Sequence, residues 1–367
     1  MNTSLKFIDS GNSQFFATVK KRTDEYFKAN KLSKNANAAM VIKTVVYLVS
    51  FVSLYLLIVL EVVPLFASLF LAILLGMNMA FIGFNICHDA LHGSYSKHPW
   101  INKSLGFLFN IIGANVYVWN ITHNKVHHTY TNIIGHDGDL EVAPGMVRIT
   151  SSEKLKPWHK YQHIYAFFLY SLASLSWFFR KDYVKFFQKN IGNHVNKHPK
   201  IEYFNLFFYK MVYYGLFIII PLTVMEITWW QFLIGFLAMN FAEGLIMALV
   251  FQLAHLVEDT DMPHPLEDEN IEESWASHQL RTTANFARKS KVMTFLCGGL
   301  NYQVEHHLFP KTCHIHYPAI SEIVKETAIE FDLPYLENES FASALKSHYH
   351  FLKKFGQPVK EEYNILA

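Results

Sequence analysis

Four apolar runs, each near the roughly twenty residues needed to cross a hydrocarbon core, decide most of what this chain can become. They cover about residues 40–60, 65–87, 206–224 and 230–254. Backbone in lipid must satisfy its own hydrogen bonds, so runs of this length are expected as helices. A fifth run, about 105–119, is shorter and carries Asn110, Gly113 and Asn115. It suits a re-entrant or interfacial helix, or a buried helix of a water-facing portion. Charged residues make up 17% of the chain, against roughly 25% in a typical soluble domain. Hydrophobic residues make up 51%, and mean hydropathy is +0.13. The expected fold is an all-α membrane protein with four transmembrane helices and a cytoplasmic helical cap. A net charge of +2 gives no argument for nucleic acid.

Residues 1–39 are mostly polar and include Lys20, Lys21, Arg22, Lys28, Lys31 and Lys34. The positive-inside rule places this segment in the cytoplasm. No signal peptide is expected in it. The far turns then fall near residues 61–64 and 225–229, and neither contains Lys or Arg. Two hairpins of spans leave both termini cytoplasmic. Cys87, Cys297 and Cys313 form an odd set without ligand spacing, as expected of reduced thiols.

Histidines mark the ends of these spans. His88 and His92 follow the second run, and His123, His127 and His128 follow the fifth. His306 and His307 lie beyond the fourth run, with Gln303 one turn before them. The i, i+4 spacing of His88 and His92, repeated by His123 and His127, puts each pair on one helix face. His255 ends the fourth run, where an imidazole is costly unless paired or ligating. An even number of spans separates the clusters, so all lie on one side. Imidazole is the common ligand for iron, zinc and copper. This set is too large for one tetrahedral zinc and suggests two metals.

The patterns H-D-x-x-H, H-x-x-x-H-H and Q-x-x-H-H, in this order among four spans, resemble the membrane fatty-acyl desaturases. The likeness takes in Tyr130, Thr131 and Asn132, the stretch from Gly135 to Asp139, and Trp275, Gln279, Thr283 and Asn285. It covers about residues 40–320, between an N-terminal segment (1–39) and a C-terminal helical segment (321–367). Glutamine at 303 is similar to the front-end subgroup, which includes linoleoyl desaturases of the delta-five and delta-six kind.

The resemblance implies two irons held by His88, His92, His123, His127, His128, His255, His306 and His307. Gln303 replaces a histidine and would bind iron through its amide oxygen or hydrogen-bond a ligand. Carboxylates close in sequence, Asp89, Asp139, Glu258, Asp259 and Glu305, are candidates to orient the imidazoles. His278 is open between an extra ligand, a substrate-facing residue and a surface histidine. The remaining histidines, such as His159, His163 and His348, lack paired spacing, and His314 and His316 are ambiguous.

Removing hydrogen from an unactivated methylene needs a cofactor that activates oxygen. The expected substrate is an acyl-CoA, an acyl-carrier-protein ester or an acyl-lipid, with O2 as co-substrate. Phe81, Phe84, Trp119 and Phe251 could line its channel or simply pack. A fused haem domain with a His-Pro-Gly-Gly motif is not expected. Electrons would come from a ferredoxin or small cytochrome with its reductase. The same scaffold would serve an alkyl hydroxylase, a ketolase or a sphingolipid desaturase. A metal transporter would place ligands near the bilayer midplane, unlike these clusters.

Overall fold

The computed structural model describes residues 5–9, 13–140, 143–265 and 270–358. The ends of both terminal segments, residues 1–4 and 359–367, lie outside them. Four helices are long and apolar enough to cross a membrane: α2 (Ala38–Val59), α3 (Leu65–Leu91), α8 (Lys200–Val224) and α9 (Trp229–His255). The Asn37 side chain starts α2 by accepting from Met40 N at 3.0 Å. Thr228 and Gln231 form a reciprocal cap at the start of α9. The turns after α2 and α8 meet, with Glu226 N donating to Glu61 Oε2 at 2.9 Å.

Helices α3 and α9 pack along one another. A Cβ added to Gly76 would lie 1.9 Å from Met239 O, so only glycine permits this crossing. Helix α2 exposes Val41, Ile42, Val45, Val46, Val49 and Val52. A continuous valine and isoleucine face of this kind suits lipid rather than water.

The short fifth run forms two helices, α4 (Pro99–Ile111) and α5 (Val116–Tyr130), bent by 111°. Gly113 in the bend has φ +104. A buried ion pair fixes it. Lys210 Nζ reaches Asp182 Oδ2 at 2.5 Å and Gly113 O at 2.6 Å, while Asn115 N donates to Asp182 Oδ2 at 2.7 Å. Asp182 lies in α7 (residues 173–187), which follows α6 (Gln162–Ser171), and both pack on α9. Exposed Ile164, Phe168, Phe179 and Phe187 give this pair an apolar outer face.

Two details depart from the expected layout. The second run stays helical past Cys87 to Leu91, because the first histidine pair continues the same helix. The chain is not wholly helical. Lys6–Phe7 pairs with Asn270–Ile271, Ala284–Phe286 with Leu336–Asn338, and Asn190–Ile191 with His194–Val195. These short ladders satisfy extended linkers that would otherwise leave buried backbone groups unpaired.

Both terminal segments pack onto the polar portion. Helix α1 (Phe15–Ala29) buries Phe15 and Val19 against Leu280, Val304, Ile320 and Val324. Arg22 closes the contact with a two-pronged bond to Glu330. Helices α10 (Trp275–Thr282), α11 (Gln303–Leu308), α12 (Tyr317–Glu330) and α13 (Phe341–Phe355) complete this portion.

Candidate metal centre

Wide helical turns shape the cluster. They occupy Gly83–Cys87 in α3 and Asn120–His127 in α5. An inserted residue of this kind re-aims the side chains that follow, and such turns are frequent at functional sites. His88 and His92 keep the α-helical spacing, with His92 N bonded to His88 O at 3.1 Å. In α5 His123 and His127 share a face, their ring centres 5.1 Å apart, yet each joins a different group.

The first group is His88, His92, His123 and His306. The second is His127, His255 and His307. In each, one ligand nitrogen per residue lies within 4.8 Å of all the others. His128 stands between them, its ring centre 4.6 Å from that of His306 and 4.5 Å from that of His307. All eight histidines named from the sequence therefore converge, and seven are buried while His92 is partly exposed.

Hydrogen bonds set which nitrogen faces inward. His127 Nδ1–H donates to Asp137 Oδ2 at 2.8 Å, and His307 Nδ1–H to Gln279 Oε1 at 2.7 Å. His255 Nδ1–H donates to Thr282 O at 3.4 Å, and His306 Nδ1 shares a hydrogen bond with Tyr317 Oη at 3.2 Å. The opposite Nε2 atoms of His127, His255, His306 and His307, and that of His92, are buried without a partner. Each such atom costs about 1–3 kcal/mol if left unmade. Burial, followed by the neighbouring imidazoles, holds His306 and His307 far below the ordinary histidine range. They are neutral, which is the ligating form. Lone pairs turned on a common point from neutral imidazoles fit metal ions.

A cavity of about 340 Å³ opens beside the first group, with His88, His123, His306 and Gln303 in its wall. Much of its wall is apolar, from Phe84, Phe109, Trp119, Trp177 and Met247. Part of the same wall is cationic, with Arg180, Lys181 and Lys185.

The fatty acid desaturase family model matches residues 64–338. The chain belongs to this family. It is 34% identical over 354 residues to an sn-1 linoleoyl-lipid 6-desaturase of Arthrospira platensis, covering 96% of this chain and 95% of that one. A Synechocystis sn-1 linoleoyl-lipid 6-desaturase is 32% identical, covering 94% and 96%. An acyl-lipid (8-3)-desaturase of Physcomitrium patens is 35% identical, covering 96% of this chain and 74% of its own.

The carboxylates of this desaturase divide. Asp139 Oδ2 lies 3.6 Å from His123 Nδ1 and its Oδ1 takes Lys181 Nζ at 3.1 Å. Asp89 turns away from the imidazoles. Its Oδ2 accepts from Cys313 Sγ at 3.0 Å and His314 Nδ1 at 2.8 Å, tying α3 to the segment after the third cluster. Glu305 is buried under Tyr335 Oη and Asn285 Nδ2, at 2.8 and 2.9 Å. Burial pushes Glu305 up to about 7 against those two hydrogen bonds. Glu258 pairs with His350 at the surface, 3.3 Å away, and Asp259 is exposed. The chain turns outward after His255, so neither reaches an imidazole of the cluster.

Asp137, Gln279 and Tyr317 are partners of the cluster that helical spacing alone does not point to. Asp137 and Gln279 lie in stretches that share the family likeness, which is the one local signal for them. His278 is wholly buried, not a surface residue. Its ring meets Glu273 Oε1 at 3.2 Å and Thr131 O at 2.7 Å, which occupies both nitrogens. Gln303 lines the cavity wall rather than bonding a cluster imidazole. His348 is also buried, between Tyr170 and Leu256. The three cysteines are free and buried.

Proposed function

We propose that this desaturase is an integral membrane enzyme that inserts a cis double bond, near the carboxyl end, into the acyl chain of a lipid. Residues 40–320 form its catalytic domain, flanked by the two terminal segments. The eight converging histidines hold two irons, which supply oxygen activation when bound. The single observation carrying this reading is the set of inward, unpartnered imidazole nitrogens beside an apolar cavity.

The chain's own residues perform the rest. Asp137, Gln279 and the Thr282 carbonyl hold the Nδ1 protons of three imidazoles and so fix ring orientation. Phe84, Phe109, Trp119 and Trp177 exclude water from the alkyl chain. The acyl-lipid assignment rests on the activities of the relatives, two of which are named as linoleoyl-lipid desaturases. Active site and termini face the cytoplasm, by the lysine-rich opening and the Lys/Arg-free far turns. A ferredoxin or small cytochrome with its reductase delivers the electrons in this reading.

The test is expression of the full chain in a host lacking polyunsaturated lipids. Mass spectrometry of intact lipids should show a new double bond carboxyl-side of an existing one. Purified protein should hold two irons per chain. His307→Ala should lose both product and iron. Full iron content in His127→Ala, His255→Ala and His307→Ala together would refute the ligand set, and a hydroxylated product would refute the reaction.

A further inference from the structure

The cationic part of the cavity wall has a feature that the metal centre does not use. Lys181 is engaged by Asp139, and Asp182 next to it is taken by Lys210 and Trp177. Lys185 lies against Gly138, where any larger residue would collide with its ammonium. Arg180 differs from all of these. It is exposed at the cavity wall, and no hydrogen bond or carboxylate among the described residues engages its guanidinium.

We propose that Arg180 anchors a phosphate carried by the acyl donor, at the mouth of the cavity. A planar fork of five donors matches phosphate oxygens in pairs. The placement gives the anchor a second consequence. Lys181 is separated from His123 by one carboxylate, with contacts of 3.1 and 3.6 Å on either side of Asp139. A head group held beside Lys181 leaves room for only a short run of methylenes before the imidazoles. The methyl end then lies along the apolar part of the cavity wall. Chain register is thereby counted from the carboxyl end. The inference rests on the reading of the cavity as the acyl site.

Binding tests it without iron or turnover. The probes are one dibrominated stearoyl chain carried as a lysophosphatidylglycerol, as a CoA thioester and as a neutral galactosylglycerol ester. Bromine quenching of tryptophan fluorescence, with Trp119 and Trp177 in the cavity wall, reports affinity. Arg180→Gln should weaken a phosphate-bearing probe about tenfold, as expected for a lost charge-assisted pair. Arg180→Lys should recover part of the loss, and the neutral probe should be unaffected. A loss confined to the lysophospholipid assigns the phosphate to a lipid, and one confined to the thioester assigns it to CoA. Equal losses for all three probes, or none, would overturn the anchor. In turnover, Arg180→Gln should raise KM while leaving kcat unchanged. If no donor yields product while the binding difference persists, the activity reading fails and the anchor stands.

Discussion

Asp137 and Asp89 show how little sequence distance says about a side chain's role. Asp89 adjoins a cluster histidine, yet consecutive helical residues point about 100° apart, and its carboxylate serves Cys313 and His314. Asp137 is ten residues from His127, and the turn through Gly135, at φ +81, folds it back onto that ring. Partners of this kind are worth 10–100-fold in metal affinity or activity. Asp137→Asn should therefore lower bound iron and turnover by about that factor. Glu258→Gln, at the surface, should change neither. Iron analysis and product assay on the two variants check the distinction. Asp89→Asn should act differently, lowering thermal stability while the imidazoles keep their hydrogen bonds.

At the scale of elements, buried polar contacts decide how helices are joined. The Lys210–Asp182 pair ties α8 to α7 and to the bend between α4 and α5. Removing one partner strands the other charge, at a cost of about 3–5 kcal/mol. Lys210→Met should thus sharply lower the melting temperature in detergent. Adding Asp182→Asn should recover much of the loss, since the stranded charge is gone. A double variant no more stable than the single would refute this account. His348 joins α13 to the end of α9, donating from Nδ1 to Leu256 O at 2.6 Å. Burial holds it down to about 4. The folded state thus binds its proton less readily than the unfolded chain. Its contribution is complete above the unfolded value near 6.5 and declines as pH falls through 4. The total is up to about 3 kcal/mol. Melting curves from pH 7 to 4 should fall less steeply for His348→Gln than for the parent.

Across the whole molecule, sidedness decides whether the site draws on cytoplasmic electrons. All three native cysteines are buried, so single introduced cysteines report cleanly. Glu61→Cys and Ile227→Cys should react with an impermeant maleimide added outside intact cells, and Lys97→Cys only after permeabilisation. Outside labelling at Lys97→Cys would reverse the orientation. Much of this architecture is legible in the residues themselves. Span number follows from hydropathy because lipid demands long, self-satisfied helices. The eight histidines stand out because chelating pairs recur within one helical turn and few other roles require that spacing. Which histidine joins which group is another matter. It depends on where the elements that carry the histidines meet in space, and no local pattern announces it. The hydrogen-bonded partners, the cavity and the free guanidinium at its mouth were likewise decided only by tertiary structure. Direction and accessibility of a side chain depend on residues far away in the chain, whereas hydropathy and helical spacing are local.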